Sequence, residues 1–180
     1  CGRPIDHMQT VTITEAPMAE FTNPPSETSV DCNNIPAPAG PLSYANNDAC
    51  DISGSVNPTI NNNYDICGGT IENTWSFTDE CGRLLEYTQI ITVNPAPIAA
   101  FIDVPASTTV ACGADATNPG NLSYTNGEIG GCSISGDVAP TQTGTYTACG
   151  GDIQFTWDFT DECGRPIQAV QTIVVEPAPA

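Results

Sequence analysis

The sequence predicts an all-β protein: tandem β-sandwich repeats, stapled by disulfides and strung as an extended rod. Three observations carry this. Trp75-Ser76-Phe77-Thr78-Asp79-Glu80-Cys81-Gly82-Arg83 returns as Trp157-Asp158-Phe159-Thr160-Asp161-Glu162-Cys163-Gly164-Arg165, and Cys1-Gly2-Arg3 is the end of the same motif. The Cys-Gly-Arg offsets are 81 − 1 = 80 and 163 − 81 = 82 residues, so one unit recurs and is read as a repeat. Apolar residues before the motif alternate with polar ones, and cysteines recur in register as Cys32, Cys50, Cys67, Cys81 and then Cys112, Cys132, Cys149, Cys163.

This phase divides the chain into a C-terminal fragment of a preceding repeat (residues 1–17), a first full repeat (18–97) and a second (98–180). Within a repeat, Phe21 and Phe101 open the unit. Thr28 to Val30 and Thr108 to Val110 read as a short strand ending at Cys32 and Cys112. A loop rich in Pro, Ala, Gly and Asn leads to Leu42-Ser43-Tyr44 and Leu122-Ser123-Tyr124, another short strand. The two extra residues of the second copy fall between Tyr124 and Cys132, which marks a loop. Ile52-Ser53-Gly54 and Ile134-Ser135-Gly136 follow, and Tyr64 to Gly69 (Tyr146 to Gly151) brings the chain back.

The clearest strand then places Ile153, Phe155, Trp157 and Phe159 on one face and Asp152, Gln154, Thr156 and Asp158 on the other. A period of two with one apolar face is a half-buried strand. Its first copy reads Ile71, Asn73, Trp75, Phe77. Asp79-Glu80-Cys81-Gly82 has turn character. Tyr87 to Val93, Ala169 to Val175 and Met8 to Ile13 are rich in Thr, Ile and Val and read as the second strand of a hairpin. Asn94-Pro95-Ala96-Pro97, Glu176-Pro177-Ala178-Pro179 and Glu15-Ala16-Pro17 read as extended, semi-rigid linkers. Six or seven short strands in about 80 residues, with no helical periodicity, argue for a sandwich.

Composition narrows the partners. Three basic residues (Arg3, Arg83, Arg165) face 21 acidic ones, for a formal net charge of −18. Such a surface repels phosphate backbones and anionic lipid, which makes nucleic acid and acidic membranes poor partners. No apolar run approaches the ~18 residues of a membrane span. Nine cysteines with a single histidine and no Cys-x-x-Cys pair favour disulfides in an oxidising compartment over zinc.

Thr145-Tyr146-Thr147-Ala148-Cys149-Gly150-Gly151, then Thr156 through Arg165, then Gln171-Thr172-Ile173-Val174-Val175, resembles hyalin-repeat (HYR-like) immunoglobulin-type domains. It is closer still to the cysteine-rich repeats of large surface adhesins of the Bacteroidota, exported by type IX secretion and in some cases serving gliding motility (SprB-type). The resemblance implies immunoglobulin-like sandwiches at the bacterial cell surface. It carries over no catalytic residue.

One strand of about a dozen residues separates Cys67 from Cys81, which places them ~40 Å apart and excludes their pairing, together with 32–50. Two connectivities remain. If the strand ending at Cys32 is the first of an immunoglobulin-like sandwich, 32–67 with 50–81 is favoured, and by repetition 112–149 with 132–163. The alternative is 32–81 with 50–67. Cys1 is expected to be an orphan whose partner lies in an upstream half-repeat, and residues 1–17 an unpaired strand open to strand exchange or lateral self-assembly.

Trp75, Phe77, Trp157 and Phe159 share the apolar strand face and are expected in the core rather than as sugar-stacking platforms. Asp79, Glu80, Asp161 and Glu162 are the calcium candidates, since calcium takes hard oxygen donors from loops. The weightier reading is a solvated turn with Arg83 or Arg165 pairing locally, because the acids of the linkers (Glu15, Glu20) do not recur. His7 has no partner constellation, Asn121-Leu122-Ser123 fits a glycosylation sequon, and no acid–base–nucleophile set suggests an enzyme. No cofactor is expected. The function that follows is a stalk or filament segment of an extracellular adhesin whose partners are neighbouring repeats. The alternative is a glycan- or surface-binding module, accessory to a secreted enzyme.

Overall fold

A computed structural model describes residues 2–114 and 116–179. The first repeat forms seven strands: β1 (Glu20–Phe21), β2 (Thr28–Asp31), β3 (Leu42–Ala45), β4 (Ser53–Val56), β5 (Thr59–Asp65), β6 (Gly68–Thr78) and β7 (Leu84–Asn94). The second forms β8 (Ala100–Phe101), β9 (Thr108–Val110), β10 (Leu122–Thr125), β11 (Ser135–Val138), β12 (Thr141–Thr147), β13 (Gly150–Thr160) and β14 (Pro166–Val175). The fold is all-β, as expected. The only helical turn among the described residues is 3-10, at Gly130–Cys132 in the loop that carries the second copy's extra residues. No described helix is long and apolar enough to cross a membrane.

Each repeat has a three-stranded sheet, β1-β3-β4 or β8-β10-β11, and a four-stranded one, β2-β7-β6-β5 or β9-β14-β13-β12. β2 runs parallel to β7 (Val30 opposite Val93), and β9 runs parallel to β14 (Val110 opposite Val175). By contact the chain divides into two compact units: residues 1–27, 38–61 and 72–90, and residues 28–37, 62–71 and 91–180.

In the second unit, Ile153, Phe155 and Trp157 on β13 are buried with Leu122, Ala169 and Ile173. The alternation that marks the strand is therefore also what fills the core. β14 continues it with Gln171 and Val175 inward. Trp157 is fully buried, and its indole Nε1 donates to the Gly120 carbonyl at 3.0 Å, which supplies the one polar partner the ring needs. Phe159 is half-buried and stacks on Tyr124 at 4.0 Å between centroids. Ile71, Ile91 and Val93 form a further cluster, with Val30, Cys32 and Ile35 against it.

The first unit repeats the pattern. Trp75 is buried, with Nε1 donating to Gly40 at 3.0 Å, and Phe77 stacks on Tyr44 at 4.0 Å. Asn73, standing where the second copy has Phe155, is buried and donates to Gln89 at 3.0 Å.

One of these expectations needs correction. Met8 to Ile13 form no strand, and Ile5, Met8, Val11 and Ile13 are exposed. Their counterparts β7 and β14 each pair with a preceding strand, β6 or β13, and this sequence has no copy of that strand ahead of Met8, so no ladder holds the segment. The extended linker is also covered: Ala96 and Ala99 are buried, and Ala96 N–H donates to Ile66 O at 2.9 Å. Alanine is small enough to be covered there, and an extended backbone leaves its N–H and C=O free for outside partners. The segments around Tyr64 and Tyr146, which bring the chain back to the hairpin, belong to strands β5 and β12.

Candidate functional site

The feature with most chemistry is the place, inside the second compact unit, where residues of the first repeat meet the second. It is built from the repeated turn motif upward.

In the turn after β13, Asp161 Oδ1 accepts the N–H groups of Cys163 and Arg165 at 3.0 and 2.8 Å. Oδ2 accepts Arg165 Nε at 2.8 Å. Gly164 takes φ +73°, the left-handed conformation that closes the turn, and its N–H donates to Asp161 O at 2.9 Å. Arg165 is thereby aimed outward from its own hairpin, and Nη1 donates to Ala96 O in the linker at 2.7 Å. Asn126 Nδ2 donates to the next linker carbonyl, Pro97 O, at 3.2 Å. Burial raises the Asp161 carboxyl, but the Arg165 N–H and guanidinium and the Cys163 N–H outweigh it, so the group is held below the usual carboxylate range.

The same turn in the first unit is superimposable in its bonds. Asp79 accepts Cys81 N–H, Arg83 N–H and Arg83 Nε at 2.9, 2.9 and 2.7 Å. Arg83 Nη1 donates to Ala16 O at 2.8 Å, and Asn46 Nδ2 donates to Pro17 O at 3.2 Å. The Arg83 N–H, ahead of the Arg83 guanidinium and the Cys81 N–H, holds the Asp79 carboxyl below its usual range against burial, and the hydrogen bond to Asp79 raises the Arg83 guanidinium. Asp79 and Asp161 thus have both oxygens engaged locally. Among the described residues no group of three or more His, Cys, Asp or Glu is placed to hold a metal. Glu80 and Glu162 carry no such turn role.

Two disulfides cross from the first repeat to the second: Cys32–Cys132, with Cα atoms 6.0 Å apart, and Cys67–Cys163, at 5.3 Å. This corrects the expected pairing within repeats (32–67, 50–81, 112–149, 132–163). Because the linker folds back under Ile66, Cys32 and Cys67 face the Cys132 loop and the Cys163 turn of the next repeat, within the Cα range a disulfide requires. Around the bridges Ala96, Ala99, Cys132 and Ile134 are buried, with Ile66 and Phe159 packed on them. A groove of about 660 Å³ runs beside them, between Ile66 and Phe159. Cys50, Cys81, Cys112 and Cys149 are free thiols. Cys1 lies outside the described residues.

The motif Trp-x-Phe-Thr-Asp-x-Cys-Gly-Arg is thereby explained residue by residue. The Trp fills the core, the Phe backs the groove and the Asp ties the turn. The Gly supplies the positive φ, and the Arg holds the preceding linker. In Cys163 the same motif also provides the bridge to the preceding repeat. Sequence reasoning found the turn and the Asp–Arg pair. It missed Ala96, Asn126 and Ile66, whose only signal is that Ala16, Asn46 and their linker prolines recur.

A HYR-like domain with 4 cysteines is found at residues 101–175. Its four cysteines are Cys112, Cys132, Cys149 and Cys163, and the offsets of 80 and 82 set Cys32, Cys50, Cys67 and Cys81 in the same register. No curated protein matches the chain. HYR-like domains are non-catalytic modules of the extracellular adhesion type, which agrees with the disulfides. No enzyme family is indicated.

Proposed function

We propose that the chain is a stalk or filament segment of an extracellular bacterial surface adhesin, with repeats 18–97 and 98–180 as its units and adhesion held elsewhere in the parent protein. The observation that carries this is the pair of disulfides running from the first repeat to the second beside the linker. A binding module has no need to bond its linker covalently on both sides, whereas a spacer under load does. Each bridge closes a loop of about 100 residues, worth roughly 4–5 kcal/mol in the chain-entropy model. The buried linker with its Arg165 and Asn126 contacts removes a hinge that a Pro-Ala segment alone would leave. The net charge of −18 disfavours collapse of neighbouring segments onto one another.

The motif resemblance points to the Bacteroidota, type IX secretion and gliding adhesins as the setting. Small-angle scattering of the oxidised chain together with a glycan array tests the proposal. An elongated particle without glycan binding is expected. A clear glycan hit would move the function to the binding module.

A further inference from the structure

The four free thiols among the described residues divide into two pairs, each of which repeats half of the bridged site. Cys50 and Cys81 stand where Cys132 and Cys163 stand one repeat later. They open on a groove of about 460 Å³ lined by Ala16, Ile52 and Phe77, the counterparts of Ala96, Ile134 and Phe159 at the bridged site. Cys112 and Cys149 are the counterparts of Cys32 and Cys67. Beside them Ala178 N–H donates to Ala148 O at 2.9 Å, as Ala96 N–H does to Ile66 O. The backbone that presents Cys32 and Cys67 to a following repeat is therefore formed again around Cys112 and Cys149, with no repeat in place to receive it.

We infer that these pairs are disulfide sockets for further repeats of the same kind: Cys112 and Cys149 bond the second and fourth cysteines of a following repeat, and Cys50 and Cys81 bond the first and third of a preceding one. This rests on the stalk reading and deepens it, because the staple then propagates along an array of any length. The occupant is identified by the bridged site itself, where the same four cysteine positions and the same apolar lining already hold a repeat. Each bond forms when two thiols deliver two electrons to a small-molecule disulfide such as oxidised glutathione. One thiolate attacks it and expels a thiol, and the second resolves the mixed disulfide and expels the other. The acceptor leaves as two glutathione thiols.

The test extends the full chain by one unit, joining residues 1–179 to an added copy of residues 98–180, refolded in glutathione redox buffer. Digestion without reduction should yield Cys32–Cys132 and Cys67–Cys163 peptides as in the parent chain. It should also yield new Cys112–Cys132 and Cys149–Cys163 peptides. Iodoacetamide, which labels Cys112 and Cys149 fully in the parent chain, should label them at least tenfold less in the extended one. Cys132→Ser with Cys163→Ser in the added copy alone should restore full labelling. Protection that survives those substitutions, or a Cys112–Cys149 peptide, overturns the inference. If the parent chain lacks the Cys32–Cys132 and Cys67–Cys163 peptides, the stalk reading fails with it. If it has them and Cys112 and Cys149 stay labelled in the extended chain, the sockets alone fail.

Discussion

Two bridges running side by side are redundant for length, and this gives the connectivity a mechanical signature. With both intact, a chain stretched from its termini bypasses the backbone between Cys32 and Cys132, a separation of 100 residues. At ~3.5 Å per residue this hides about 350 Å. Without that bridge, Cys67–Cys163 takes the load with a separation of 96, and the taut path lengthens by only 100 − 96 = 4 residues, or about 14 Å. Removing both releases the whole ~350 Å. Pairing within repeats behaves differently: after loss of all four cysteines, 50–81 would still hide 81 − 50 = 31 residues where 32–67 hid 67 − 32 = 35, and 112–149 would be untouched, so the path would lengthen by only 35 − 31 = 4 residues, or about 14 Å. Optical-tweezer stretching of the protein, of Cys32→Ser with Cys132→Ser, and of the variant lacking all four cysteines reads these contour lengths directly. The expected order is short, almost as short, and long. A gain of only about 14 Å in the variant lacking all four cysteines would refute the bridging between repeats and the account of the junction built on it.

Further outcomes follow from the same contacts. Trp157→Phe keeps most of the core volume but leaves Gly120 O without the indole donor, so a loss of about 1–2 kcal/mol is expected in urea unfolding. Gly68→Ala should destabilise by about 1–3 kcal/mol, since Gly68 has φ +90° and an added Cβ would lie 2.7 Å from Val93 O. Arg165→Gln should lower the melting temperature at neutral pH by freeing Asp161 and the linker carbonyl Ala96 O. Because the native Asp161 carboxyl lies below its ordinary value, its contribution is present above about pH 4 and lost as the pH falls through the native value. The gap between the protein and Arg165→Gln should therefore narrow on acidification, leaving the part due to Ala96 O, and a gap unchanged at pH 2 would contradict the pairing. Millimolar calcium should leave the melting temperature unchanged, as measured by calorimetry, because Asp79 and Asp161 are already engaged. A rise of several degrees would restore the calcium reading.

Much of the fold was legible because its signals are local. Ile153, Phe155 and Trp157 alternate within five residues, and Asp161 finds Arg165 four residues on. β5 and β12 were not legible as strands, since every residue in them is exposed and gives no alternation. The strand expected at Met8 to Ile13 had the right composition and no partner. The burial of the linker was not legible because Pro-Ala composition reports backbone stiffness, not what covers it.

By itself the sequence determined the repeat and its phase, the core-facing residues of the long strands, the turn and its ion pair, and the supply of cysteines. These depend on chemistry within a few residues of one another. Which cysteines join was decided only by the tertiary structure. Register makes Cys32 equivalent to Cys112 and Cys132 equivalent to Cys50, and so cannot choose among partners. The choice came from the buried linker, which sets Cys32 within 6.0 Å of Cys132 and Cys67 within 5.3 Å of Cys163, inside the few ångströms over which a disulfide forms.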